Sequence, residues 1–162
     1  AHILAVIDSY FNNSDGSGNM FAPSFEGQQR LWRGLLGGEP NAGNLPDVVK
    51  VHGTSTPLGD AIELFSVVNV MGRHPFHISA PKSQYGHMLG AAGAVEFVNA
   101  VLMLREQTVS PCLNSENLHA ELEAFQQESS WQGSREPIAA YRDILPQMPL
   151  KKEINRIVCL NY

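Results

Sequence analysis

A segment of helical length that opens on polar, turn-forming residues constrains this chain more than any other: Pro81 to Leu104, PKSQYGHMLGAAGAVEFVNAVLML. Lys82, Ser83, Gln84 and Gly86 form its polar opening, His87 follows, and the small residues Gly90, Ala91, Ala92, Gly93 and Ala94 leave room for another backbone to approach closely. The remainder is apolar on nearly every face, the pattern of a helix buried inside a larger protein. Glu96 and Asn99 interrupt it. A buried carboxylate is costly unless paired, and Lys82 is the nearest candidate partner in the motif. The run approaches membrane-spanning length, but Glu96, Asn99 and the crowd of Gly and Ala point to a core helix instead. His87 is therefore expected at a helix N-terminus, above a buried charge.

A second anchor lies upstream, from Asp47 to Val68 (DVVKVHGTSTPLGDAIELFSVV). Val48, Val49 and Val51 predict a short buried strand with His52 at its carboxyl end. The loop from Gly53 to Pro57 supplies hydroxyls at Thr54, Ser55 and Thr56, and a helix follows with Asp60 and Glu63 in its first turns. Phe76 to Ser79 predicts another such strand, ending just before Lys82 and His87. Ligands of open α/β sheets collect beyond the carboxyl ends of strands. His52 and His87 occupy equivalent ends of two βα units.

These residues carry a family resemblance. HGTSTPLGDAIE (His52 to Glu63) and KSQYGHMLGAAGAVE (Lys82 to Glu96) resemble the two histidine motifs of the β-ketoacyl synthases, the condensing enzymes of fatty-acid and polyketide assembly. Ile3 to Pro23 resembles the opening strand and loop of that family's C-terminal half, Pro111 to Asn114 its Pro-Thr-Leu-Asn turn, and Leu160 to Tyr162 the start of its closing glycine-rich loop. The resemblance implies an α/β, thiolase-like fold. Residues 1–162 would form its C-terminal half, a mixed sheet with a buried central helix and helices on its faces. The N-terminal half, the partner that bears the nucleophilic cysteine, would lie outside residues 1–162, whether through gene splitting, proteolysis or omission from this chain.

Decarboxylative Claisen condensation needs a thiolate to hold the acyl chain, a donor pair for the enolate oxygen and a channel for the carrier arm. Neutral imidazoles suit the second task, since each can donate one N–H to a thioester oxygen as charge develops. His52 and His87 are the candidates. Lys82 would set the local field and pair with Glu96, orienting the His87 loop. Thr54 and Thr56 carry hydroxyls able to bond an amide-bearing arm, which the resemblance implies is the phosphopantetheine of acyl carrier protein. No resident cofactor is expected. Asp60 and Glu63 are expected to brace the loop, as helix cap and as an acceptor behind the residues that meet substrate.

Length fits one domain with a core. A net charge of −5 without a basic stripe argues against nucleic acid as a partner. Two cysteines are too few for a disulfide framework, and the N-terminus enters an apolar run with no basic leader, so a cytoplasmic setting with reduced thiols is expected. Neither thiol reads as a nucleophile. Cys159 lies in an apolar strand, expected buried and inert, and Cys112 follows Pro111 with no helix behind it. Both Ile3 to Ile7 and Arg156 to Tyr162 read as strands at cut edges, so the isolated chain is expected to condense nothing and to aggregate or partly unfold. Its native setting would be a homodimer or heteromer of complete units.

Glu26 to Leu36 has helical spacing, with Leu31, Leu35 and Trp32 inward and Gly37-Gly38 as its stop. Gly38 to Asp47 reads as a loop, Thr108 to Ser110 as a short strand broken by Pro111, and His119 to Gln127 as a surface helix. Ser129 to Glu153 reads as an irregular excursion that Trp131, Tyr141 and Ile144 could pin down. His74 and His77 fall on opposite faces of an extended segment with no third ligand, so no metal site is expected. Met88 and Met103 read as core filler. Two other classes compete: a non-catalytic partner subunit comparable to a chain-length factor, and a thiolase-fold acyltransferase without decarboxylation. The first need not keep both histidines and the lysine; the second would release no carbon dioxide from a malonyl carrier.

Overall fold

The computed structural model describes residues 2–14, 16, 23–41, 43–71, 74, 76–113 and 153–160. Helix α1 (Phe25–Leu36) leads into strand β1 (Val48–Lys50), helix α2 (Pro57–Met71) and strand β2 (His77–Ser79). A short helix α3 (Lys82–Tyr85), a 3-10 turn (Leu89–Ala91) and helix α4 (Ala92–Glu106) follow, and β3 (Ile157–Cys159) comes last. The strands form one sheet in the order β2-β1-β3, and both pairings are parallel. Parallel neighbours need a crossover, and α2 supplies it between β1 and β2.

Side chains alternate across a strand, and β1 divides the core accordingly. Val49 and Val51 join a cluster with Trp32, Val67, Val68, Val70, Met71, Ile78 and Val158, fed by α1 and α2. Val48 faces the other way, onto Met103 of α4 and Ile154. The sheet is thus packed between α1 and α2 on one face and α4 on the other, which is why all three residues of β1 are buried. Each such fully buried large side chain contributes about 1.5–3 kcal/mol.

Helix α1 begins where Ser24 accepts a hydrogen bond from the Gly27 amide (3.1 Å) and ends at Gly37, whose left-handed conformation (φ 70°) closes the last turn. It is tied to α2 by Gln29, whose Nε2 donates to the carbonyl and hydroxyl of Ser66, and by Asn69, which donates back to Gln29 Oε1. Trp32 is buried as expected; Leu31 and Leu35 pack against the same cluster from partly buried positions.

Several expectations need correction. The described strands form a purely parallel sheet rather than a mixed one. Ile3 to Ile7 is not a strand: no ladder pairs it, and Ile3 and Ile7 are 81% and 68% exposed. A β-branched run becomes a strand only against a neighbour, and no described strand lies beside it. Ser9 Oγ donates to the Leu35 carbonyl, Asn13 Nδ2 donates to the Gly27 carbonyl, and Asp8 pairs with Arg156, so side chains hold this segment.

Helix α4 is buried on one side only. Ala92, Glu96, Asn99, Ala100 and Met103 face inward, while Phe97, Val98 and Leu102 are exposed. Nothing lies within 4 Å of a Cβ built on Gly90, so the expected close backbone approach is not made there. Thr108 to Ser110 is not a strand either; Ser110 is engaged by side chains instead, through Ser79 and Asn99. Met88 is exposed rather than core filler, and Cys159 is exposed, on a strand that lies at the edge of the sheet among the described residues. The helix expected over His119 to Gln127, and Ser129 to Glu153 apart from Glu153, lie outside the described residues. No helix among the described residues is long and apolar enough to cross a membrane.

Candidate active site

The β1–α2 loop is shaped from behind by two carboxylates. Glu63, nearly two turns into α2 and almost fully buried, accepts the backbone N–H of His52 (2.6 Å) and of Gly53 (2.9 Å). Asp60 accepts the Ser55 amide (3.1 Å), at a residue whose φ of 60° is left-handed. Gly53 also has positive φ (50°), and a Cβ there would meet Ala80 Cβ at 3.1 Å, so this tight turn against the end of β2 needs glycine. The bracing role expected of Asp60 and Glu63 has a geometric basis: together they hold the backbone that carries His52.

Burial pushes Glu63 up to about 7, outweighing the two N–H bonds from Gly53 and His52, with the charges of Asp60 and Glu96 pushing the same way as burial. Its ordinary value is 4.5. Between the two the folded chain holds a proton that the unfolded chain has released, so this group makes stability fall as pH rises through that window, at most about 1.4 kcal/mol per pH unit. Glu63→Gln removes the slope and sets an amide NH2 against one backbone donor, which costs about 1–3 kcal/mol. The urea stability gap between native protein and variant is therefore expected to be widest near the acid end of the window and to narrow toward and above the Glu63 value. A gap that stays constant or widens would contradict this account.

His87 sits on the loop between α3 and the 3-10 turn. Gly86 turns the chain out of α3 at φ 74°, and Leu89, itself at φ 48°, aims its amide back so that it donates to His87 Nδ1 (3.1 Å). An accepting Nδ1 carries no proton, so the imidazole N–H is placed on Nε2. The rings of His52 and His87 meet edge to face with centroids 5.4 Å apart. The two imidazoles expected to converge do converge.

Lys82 and Glu96 pair as expected. Lys82 Nζ lies 2.8 Å from Glu96 Oε1, and the two side chains are 8% and 2% exposed. The pair fastens α3, and with it the His87 loop, to the buried face of α4. The other oxygen, Glu96 Oε2, is buried without a hydrogen-bond partner among the described residues. A small cleft of about 10 Å³ lies beside the pair, lined by Lys82, Tyr85, Met88, Val95 and Glu96 among others. Thr54 and Thr56 stand at the rim of the His52 loop with their hydroxyl oxygens 3.4 Å apart.

Sequence reasoning missed Lys50. It ends β1, two residues before His52, and is fully buried. Its Nζ donates to Asn99 Oδ1 (2.7 Å), and Asn99 Nδ2 donates to Ser110 Oγ (3.0 Å). Burial lowers the ammonium's pKa, opposed by the charges of Cys159 and Glu96, with Lys82 acting in the same direction as burial. A lysine inside a run of valines in a strand buried on both faces was the available signal.

Neither thiol resembles an activated nucleophile. Cys112 packs against the main apolar cluster. Solvent reaches Cys159, yet the protein atoms around its sulfur push the thiol up to about 11, despite the nearby Lys50. His77 is shifted down by burial, against Asp47, and no group of three or more potential ligands gathers among the described residues.

Two imidazoles at the carboxyl ends of neighbouring parallel strands, over a buried lysine–glutamate pair, define an α/β half-site of the thiolase-like kind. The family model for the β-ketoacyl synthase C-terminal domain matches residues 4–116. The chain is 42% identical over 118 residues to 3-oxoacyl-(acyl-carrier-protein) synthase 1 of Haemophilus influenzae, covering 73% of this chain and 28% of that protein. It is 39% identical over 126 residues to synthase 2 of Mycobacterium tuberculosis, covering 76% and 30%. Among solved structures it is similar to the ketosynthase from module 1 of the bacillaene synthase of Bacillus amyloliquefaciens. That similarity has a TM-score of 0.59 at 30% identity, covering 68% of this chain and 22% of that one. The chain belongs to the β-ketoacyl synthase family, over that family's C-terminal domain. It spans between a quarter and a third of the length of these two curated relatives.

Proposed function

We propose that this chain is the histidine-bearing half of a β-ketoacyl-(acyl carrier protein) synthase, carrying out decarboxylative Claisen condensation in fatty-acid or polyketide biosynthesis. The observation that carries the reading is the edge-to-face pair of His52 and His87, with the His87 proton placed on Nε2 by the Leu89 amide. The nucleophilic cysteine comes from the N-terminal half. Acyl carrier protein delivers the substrate on phosphopantetheine, whose amides meet the hydroxyls of Thr54 and Thr56. No resident cofactor takes part, and the complete units work in the cytoplasm as a homodimer or heteromer.

The chemistry follows from the donors. The partner's thiolate holds the growing acyl chain as a thioester. A malonyl thioester then places its carbonyl oxygen between the two imidazole N–H groups. The bond from the α-carbon to the carboxylate breaks, carbon dioxide leaves, and the electron pair spreads into an enolate whose oxygen the two N–H groups stabilise. The α-carbon attacks the acyl thioester, the new carbon–carbon bond forms, and the cysteine thiolate departs. Lys82 and Glu96 hold the His87 loop throughout and touch no substrate.

The test is carbon dioxide release from a malonyl carrier by the intact protein, both halves present. Release coupled to formation of a β-ketoacyl carrier supports the reading. Acyl transfer without release overturns it in favour of a non-decarboxylating acyltransferase.

A further inference from the structure

The row of residues across the carboxyl end of the sheet on its α4 face is Ser79, Lys50 and Cys159, one from each strand in register. Ser79 and Lys50 are both fully buried. Above this row, α4 presents Glu96 and Asn99 one turn apart, both buried. Three polar ties link the elements that carry the imidazoles. Glu63 holds the His52 loop to α2, Lys82–Glu96 holds the His87 loop to α4, and Lys50–Asn99 joins β1 to α4. Among the described residues, β1 otherwise meets α4 through the apolar contact of Val48 with Met103, which fixes distance but not register; the Ser79–Ser110–Asn99 bonds tie α4 to β2, not to β1.

Charge strengthens the case. Fully burying an ammonium is costly unless charge and hydrogen bonds compensate it. The groups facing Lys50 are Asn99 and Glu96 from α4, Cys159 from β3 and Lys82 after β2, with the Met103 sulfur 3.9 Å away. Glu96 has one oxygen on Lys82 and the other without a hydrogen-bond partner among the described residues. Lys50 thus supplies a second positive neighbour to a carboxylate that would otherwise rely on one.

We infer that Lys50 is a positioning residue: its buried ammonium, bonded to Asn99 and facing Glu96, locks β1 to α4 and so fixes His52 relative to His87. This deepens the condensing-enzyme reading and rests on it for its catalytic consequence, but the geometric consequence stands alone. A misplacement of about 1 Å between paired catalytic groups costs on the order of a hundredfold.

The test uses the intact protein with both halves and the substitution Lys50→Met, which keeps length and removes the charge. With 15N-labelled histidine, the ring signals of His52 and His87 are expected to move while those of His2 and His77 stay. In the carbon dioxide assay kcat is expected to fall about tenfold to a hundredfold, with KM changed by less than about twofold. Lys50→Gln keeps a donor without the charge and gives the same signature if the methionine variant does not fold. Unmoved His52 and His87 signals in a folded variant overturn the inference. A native protein that releases no carbon dioxide overturns the condensing-enzyme reading instead, and the ring signals still decide the role of Lys50.

Discussion

Replacing His87 by alanine in the intact protein is expected to slow carbon dioxide release by about a hundredfold to a thousandfold, the usual cost of one donor to a developing oxyanion. His52→Ala is expected to do the same. The combined variant should fall short of the product, because residues acting on one oxygen are not additive. The hydrogen bond from the Leu89 amide to Nδ1 makes the case sharper for His87, since it leaves Nε2–H as the only ring donor. An amide side chain can still donate, so His87→Asn is expected to keep more of the rate than His87→Ala. Equal rates for the two variants would show that N–H donation is not what His87 supplies. Full activity in both alanine variants would instead favour a non-catalytic partner subunit.

The convergence of these rings was legible because it follows from topology. Two short strands, each followed by a helix, run parallel, and their carboxyl ends necessarily lie side by side; His52 sits just past one end, and the loop after α3 brings His87 to it. The Lys82–Glu96 pair was legible for a different reason, since a carboxylate on the inward face of an apolar helix needs a cation and Lys82 stands in the same motif. What failed shares a cause. Apolar periodicity says that Phe97, Val98, Leu102 and Ile3 to Ile7 prefer to be covered, but not by which chain, and in this chain they are exposed. Cys159 failed because the pattern of a strand does not reveal whether it is central or at an edge. Lys50 escaped because its partner Asn99 is 49 residues away, a distance that only the folded crossing of β1 and α4 closes. Long-range polar pairs of this kind leave no local signature beyond the oddity of a lysine among valines.

Lys82→Met is expected to be the most destabilising single change in the site. Removing one partner of a buried ion pair typically costs about 3–5 kcal/mol, because the remaining charge is left buried without compensation. Among the described residues both oxygens of Glu96 would then lack a hydrogen-bond partner, with Lys50 the remaining cation within electrostatic reach. The double substitution Lys82→Met with Glu96→Leu removes both charges and is expected to recover most of that loss, since apolar replacements of whole buried pairs are often neutral. Urea unfolding of the intact protein measures all of this in one cycle. The double variant should not recover carbon dioxide release, however, because the restored packing no longer ties α3 to α4 by a directional bond and His87 rides on the loop that α3 begins. Stability and activity should therefore separate in this one protein: stability near native, rate still depressed. A double variant that recovers both would mean that the pair serves folding alone and that the His87 loop keeps its place without it.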